Sequence, residues 1–251
     1  MFALTNKIIF HKIILMKYSA LKIIELVFVN LITTTRLLGA FALPFIYVYH
    51  GPSVCALITI ILFLTDAIDG FLARRLKIST FLGSMLDAFS DKLLNGISFI
   101  ILGIEYNIMF APLILELSIL YTNYSTYRFG GNVQSSTIGK IKTVILDIFV
   151  ILSFALLSLN AFNTNNNIIK YLIENTNIYI NIFGCIITIA CIVALLDYMK
   201  KNKKTRINPE FTHVKFQNRK RKTFKELMNN LIDTKYYVKH KNEAIMKQFY
   251  K

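Results

Sequence analysis

Apolar residues gather along this chain into runs about as long as a membrane crossing, separated by short polar breaks. The runs fall at roughly 32–50, 53–75, 82–105, 108–127, 141–161 and 178–198. Each approaches the ~20 residues that a helix needs to cross the hydrocarbon core. The breaks carry turn chemistry: His50-Gly51-Pro52 after the first run, Glu105-Tyr106-Asn107 after the third and Gly130-Gly131-Asn132 after the fourth. An Asn-rich stretch, predicted to be a loop over 163–177, precedes the last. In residues 1–29, Lys7, Lys12, Lys17 and Lys22 alternate with Ile, Leu, Phe and Val, the pattern of an amphipathic helix lying at the interface. An organelle-targeting segment is the other reading of this nearly acid-free stretch, but it lacks Arg and a good cleavage signal.

These elements predict an all-α membrane protein of about six transmembrane helices, with an N-terminal interfacial amphipathic helix and a basic C-terminal tail. The predicted divisions are 1–29 (juxtamembrane segment), 30–199 (six-helix domain) and 200–251 (cytoplasmic tail). Composition agrees: 55% of the 251 residues are hydrophobic and 17% charged, against about 45–50% and about 25% in a soluble domain. Cys55, Cys185 and Cys191 each sit in an apolar run without a CxxC partner, which reads as packing and not as metal or disulfide chemistry.

Charge sets the orientation. The chain carries a formal +15, and residues 200–251 hold 16 Lys plus Arg against 4 Asp plus Glu. The cluster Arg219-Lys220-Arg221-Lys222 has no recognised nucleic-acid motif beside it, so no nucleic-acid partner is expected; an anionic leaflet is. Basic residues also occupy the N-terminal segment, Arg74-Arg75-Lys77, and Arg128, Lys140 and Lys142, whereas the other three loops hold a single Lys170. Six crossings put all the basic segments on one side, so both termini and the second and fourth loops are predicted to be cytoplasmic.

Asp66, Asp69, Asp87 and Asp91 stand out against this background. A carboxylate at mid-bilayer costs at least ~2.5–3.5 kcal/mol. Taken singly, each has an ordinary reading: a helix cap, or an ion pair of Asp69 with Arg74 or Asp91 with Lys92. Together they have a period. Asp66 and Asp69 are three apart, and Gly83, Asp87 and Asp91 are successive fourth residues, so two antiparallel helices turn two carboxylates each toward one another. Oxygen ligands without His or Cys suit Mg²⁺, Mn²⁺ or Ca²⁺. Four carboxylates can hold two ions, an arrangement that clamps phosphoryl oxygens. Intramembrane carboxylates also mark ion pathways, so a cation or proton transporter is a rival, as is a non-catalytic lipid-binding scaffold. Against a transporter, the Asp residues cluster at one face, and only Glu116 and Asp147 extend a polar path.

The string Asp66-x2-Asp69-Gly70-x2-Ala73-Arg74-x8-Gly83-x3-Asp87-x3-Asp91 resembles, position for position, the signature of the class-I CDP-alcohol phosphatidyltransferases. The resemblance covers about residues 28–198 and leaves the tail outside. It implies that Asp66, Asp69, Asp87 and Asp91 surround two ions, Mg²⁺ or Mn²⁺, with Asp91 also the general base. It implies that Asp66, Gly70, Ala73, Arg74 and Gly83 bind a CDP-linked lipid, and that the enzyme is a homodimer among membrane lipids. The reaction implied is transfer of the phosphatidyl group of CDP-diacylglycerol to an alcohol, with release of CMP. Asn30-Leu31-Ile32-Thr33 with Arg36 and Pro44, and Gly139-Lys140-x-Lys142-Thr143, are similar to the phosphatidylglycerophosphate synthase branch, whose acceptor is glycerol 3-phosphate. On that likeness Lys140, Lys142, Arg128 and Arg36 are the candidate acceptor-binding residues. For Lys140 and Lys142, flanking charge at a helix end is an equal reading. Leu86 to Lys92 lacks that branch's Pro, and Leu115-Glu116 replaces its Arg-Glu pair, so phosphatidylglycerol, as in cardiolipin synthase, and inositol stay open as acceptors. The tail carries no site motif and is expected to be dispensable for catalysis.

Overall fold

The computed structural model describes the backbone of residues 2–76, 78–128, 136–161, 166–207 and 221–240. Within these stretches side chains are described from Ile24 onward, except those of Ala67, Arg74, Tyr127, Arg128 and 202–207. The described chain is almost wholly helical: α1 Phe2–Arg75, α2 Phe81–Glu105, a 3-10 turn Asn107–Met109, α3 Phe110–Arg128, α4 Thr137–Leu159, α5 Asn167–Glu174, α6 Thr176–Ile207, α7 Phe224–Ile232 and α8 Thr234–His240.

Helix α1 is two legs. Gly51 at its middle has φ 77° and ψ 179°, a region that only glycine occupies without strain. Pro52 then opens the second leg, where its missing N–H leaves no helical bond unmade. The legs run antiparallel, so Thr33 meets Asp69 and Arg36 meets Asp66. A Cβ on Gly39 would stand 2.7 Å from a Leu62 methyl, so glycine there lets the legs approach. The helix starts at Phe2 and enters the first leg without a break; the amphipathic pattern expected of 1–29 rests mostly on side chains outside the described residues.

Among the described residues, four stretches are long and apolar enough to cross a membrane: Ile24–Ala73, Asn107–Thr126, Thr137–Leu159 and Thr176–Lys201. The first contains the Gly51 turn and supplies two legs. α2 is 25 residues long but carries Asp87, Asp91, Lys92 and Glu105. The bundle thus has six long legs, and the protein is an all-α membrane protein. Its outside is greasy: Leu38, Phe41, Phe45 and Val48 make an exposed stripe on the first leg, as do Leu57, Ile61, Leu64 and Ile68 on the second. Arg36, Asp69, Ser90, Asn95 and Lys142 are buried instead. A lipid solvent explains the inversion, since apolar side chains lose nothing by facing acyl chains and charges must find partners inside.

An apolar core of Ala40, Leu43, Cys55, Leu94, Leu102, Val150 and Phe154 fills the middle of the bundle and the end nearer Gly51. The polar residues collect toward the opposite end, where Thr80 caps α2 and Ser136 caps α4 by accepting from the N–H groups of Gly83 and Gly139. One segment differs from expectation. The Asn-rich loop contains α5, because Asn166 caps it at the Ile168 N–H and its Ile, Leu and Tyr side chains give one apolar face. The tail forms α7 and α8, begun by Glu226 accepting from the Thr223 N–H at 3.0 Å. Gly51→Ala is expected to destabilise the bundle by ~1–3 kcal/mol. A thermal midpoint in detergent measures this, and an unchanged midpoint would remove the requirement for φ near 77°.

Candidate active site

The second leg of α1 and the start of α2 lie side by side, and their carboxylates converge as the spacing predicts. Ligand oxygens of Asp66, Asp69 and Asp87 all lie within 4.8 Å of one another. Asp91 stands one turn further along α2. What the spacing did not predict is the group at the centre. Arg36, from the first leg, is fully buried and pairs with all four. Its guanidinium hydrogen-bonds Asp66, donates from Nη2 to Asp87 at 2.6 Å, and lies 3.4 Å from Asp91 and 3.9 Å from Asp69. The Thr33 hydroxyl donates to Asp69 Oδ2 at 2.8 Å. Asp69 Oδ1 is buried with no hydrogen-bond partner.

That donor set fits a divalent cation. It consists of hard oxygens only, one of them orphaned, already gathered around a positive charge. Arg36 balances one of the four negative charges, and the remainder calls for more positive charge than the described side chains supply at this cluster.

Two cavities meet at the cluster. The first, about 230 Å³, is lined by Asp69, Gly70, Ala73, Gly83 and Asp87, and by Tyr237 of α8. Glycine at 83 keeps it open, since a Cβ there would come within 3.1 Å of Asn30 Oδ1 and of Thr80 Oγ1. The second, about 290 Å³, is lined by Asp91, Lys92, Asn95, Glu116, Lys140 and Lys142. Asp87 faces one cavity and Asp91 the other, so the cluster is their common wall.

The candidate residues are therefore distributed as follows. Asp66, Asp69, Asp87 and Asp91 come together, and Gly70, Ala73 and Gly83 line the cavity beside them. Lys140 and Lys142 line the second cavity, where buried Lys142 is ion-paired with Glu116. Arg36, a candidate acceptor contact, stands among the carboxylates and pairs with them, because its leg packs directly against the second. The side chains of Arg74 and Arg128 lie outside the described residues. Asp147, without an expected role, accepts from Asn95 Nδ2 at 2.9 Å. Sequence reasoning missed Lys92, Asn95, Asn123 and Tyr198 in the second cavity and Tyr237 in the first. Of these, Lys92 adjoins Asp91 and Asn95 continues the four-residue series of Gly83, Asp87 and Asp91, so the motif could have signalled both.

Comparison with known proteins agrees with this geometry. A family model described as CDP-alcohol phosphatidyltransferase matches residues 26–196. Over 112 residues the chain is 34% identical to a CDP-diacylglycerol--glycerol-3-phosphate 3-phosphatidyltransferase of Yersinia enterocolitica, covering 41% of this chain and 60% of that protein. Over 68 residues it is 40% identical to a protein of the same name from Pectobacterium atrosepticum, covering 27% and 36%. A cardiolipin synthase (CMP-forming) / mitochondrial hydrolase fusion protein of Schizosaccharomyces pombe is 29% identical over 100 residues, 39% of this chain and 17% of that one. The matched stretches thus span 60%, 36% and 17% of these relatives, in each case less than two thirds.

Arg36→Gln leaves the carboxylates facing each other without their buried counter-charge, which typically costs ~3–5 kcal/mol. In EDTA the variant is expected to melt well below the wild type. Millimolar Mg²⁺ should raise its midpoint by more than it raises the wild type's, because binding stabilises the folded state in proportion to ligand occupancy. Equal Mg²⁺ shifts in the two proteins would refute a shared Arg36 and cation site.

Proposed function

The chain belongs to the CDP-alcohol phosphatidyltransferase family, and from that premise we propose that it transfers the phosphatidyl group of CDP-diacylglycerol to an acceptor alcohol, releasing CMP. The observation that carries this reading is the pair of cavities sharing one carboxylate wall. A two-substrate displacement needs a donor and an acceptor on either side of one phosphorus. The cavity with Gly70, Ala73 and Gly83 takes the nucleotide end of the donor, and the lysine-lined cavity takes the alcohol.

Each residue then has a task. Asp66, Asp69 and Asp87 hold divalent cation, Mg²⁺ or Mn²⁺ and two ions in full occupancy, which when bound supplies positive charge to the phosphoryl oxygens. Thr33 fixes the orientation of Asp69 through its hydroxyl. Asp91, on the acceptor side, takes the proton of the acceptor hydroxyl; the alkoxide oxygen bonds to the β-phosphorus, and the bond from that phosphorus to the bridging oxygen breaks, releasing CMP.

The acceptor we favour is glycerol 3-phosphate. Lys92 and Lys140 line the second cavity with Lys142, and ammonium groups suit a phosphate as point charges. Asn95 Oδ1 and Asn123 Oδ1 are buried there without partners, suited to the donating hydroxyls of a polyol. One observation favours a second reading: Glu116 already neutralises Lys142, which weakens the cavity's hold on a dianionic phosphate and keeps phosphatidylglycerol or inositol as the alternative. The basic segments support placing the site and both termini on the cytoplasmic face.

The test is CMP release from CDP-diacylglycerol by purified protein with Mg²⁺ or Mn²⁺, offered glycerol 3-phosphate, phosphatidylglycerol, inositol and serine separately. Release with glycerol 3-phosphate alone is expected; release with a different acceptor replaces that choice, and none with any acceptor sinks the transferase reading. Asp91→Asn should lower kcat by ~10²–10⁴-fold, the usual worth of a general base, while still binding CMP. Lys140→Ala should raise the KM for glycerol 3-phosphate about tenfold, as expected for a lost hydrogen bond to a charged group, and leave that for CDP-diacylglycerol unchanged.

A further inference from the structure

The family match ends at residue 196, and α7 and α8 lie beyond it. They are nonetheless built onto the donor cavity. Phe81, the first residue of α2, is 7% exposed. Its ring lies 4.9 Å from that of Tyr237 and 6.3 Å from that of Tyr236, both edge-on. Lys222 Nζ donates to the Tyr236 hydroxyl at 3.2 Å and sits 5.5 Å from its ring centroid. His240 closes over the other side of Tyr236, with 4.3 Å between centroids. Leu231 of α7 is buried. Tyr236 is thus held on three sides by protein. Tyr237, its neighbour, is turned to line the cavity that contains Asp69, Gly70 and Asp87.

We propose that Tyr237 is part of the nucleotide-binding site, forming the aromatic wall against which the pyrimidine base of the donor packs, and that α7–α8 cap this cavity. The proposal rests on the transferase reading above and extends it to residues outside the family domain. A nucleoside diphosphate has two ends with different needs. Its phosphates go to the carboxylate and cation end of the cavity. Its base needs a flat apolar partner, and base–aromatic stacking is a main source of affinity for single nucleotides. The other described residues lining the cavity are small, aliphatic, hydroxylic, amide or acidic, and Tyr237 is the aromatic one among them. Phe81, Tyr236 and Lys222 act as positioning residues that hold Tyr237 in place. The expectation that the tail is dispensable is therefore replaced: truncation after Lys201 removes one wall of the donor cavity.

The chain contains no tryptophan, so Tyr237→Trp in the full chain introduces a single reporter at the proposed contact. Titrated with CMP in detergent and Mg²⁺, its emission should change saturably. Phe224→Trp, at a position 78% exposed on α7, should give no change. By equilibrium dialysis Tyr237→Ala should bind CMP at least about 5-fold more weakly than wild type, and Tyr237→Phe should stay close to it, since the ring carries the contact. Should the Ala variant fail to fold, the Trp and Phe variants decide. Wild-type binding of CMP together with a silent Tyr237→Trp, or with full affinity in Tyr237→Ala, overturns the role of the tail and leaves the transferase reading standing. Wild-type protein that binds no CMP overturns both.

Discussion

A fully buried guanidinium among four carboxylates is the interaction around which this molecule is arranged. Arg36 belongs to the first leg of α1, Asp66 and Asp69 to the second, and Asp87 and Asp91 to α2. None of these groups could be held away from water alone, because an unpaired charge in a low-dielectric interior costs several kcal/mol even after relaxation. Each leg is therefore committed to the other two. The Gly51 turn returns the second leg alongside the first, and glycine at 39 brings it close enough for Arg36 to reach across. The same network that orders three helices also leaves net negative charge at one point, which is what a phosphoryl-transfer site needs in order to collect cations.

The surroundings follow from lipid as the solvent. Apolar stripes on the legs face outward, so polarity concentrates within the bundle and toward one end. α2 is the partition. Thr80, Gly83 and Asp87 look into one cavity, and Asp91, Lys92 and Asn95 look into the other. A drift of helical phase along a single element thus separates the two cavities. In the second cavity, the Lys142–Glu116 pair and the Asn95–Asp147 hydrogen bond satisfy buried groups internally, while Lys140 is exposed and the amide oxygens of Asn95 and Asn123 have no hydrogen-bond partner.

The tail illustrates how poorly charge alone describes a segment. Its docking depends on a few aromatic and apolar side chains: Tyr236 and Tyr237 pack against Phe81, and Leu231 is buried. A binding wall added from outside a domain is a route by which one fold changes its nucleotide affinity while its reacting groups stay fixed.

The sequence by itself determined the helical membrane class, the positions of most legs within a few residues and the identity of the four carboxylates. All of these are local or periodic properties: apolar run length, turn residues, and a three- or four-residue spacing that sets a helix face. Only the tertiary structure decided that Arg36 pairs with the carboxylate cluster, that Glu116 neutralises Lys142, and that Tyr237 lines a cavity with Asp87, 150 residues away in sequence. Those pairings join residues on different helices, and no period within one helix encodes which partner a neighbouring helix will present. They follow from the angle and depth at which the legs pack, and that is set by the whole set of contacts at once.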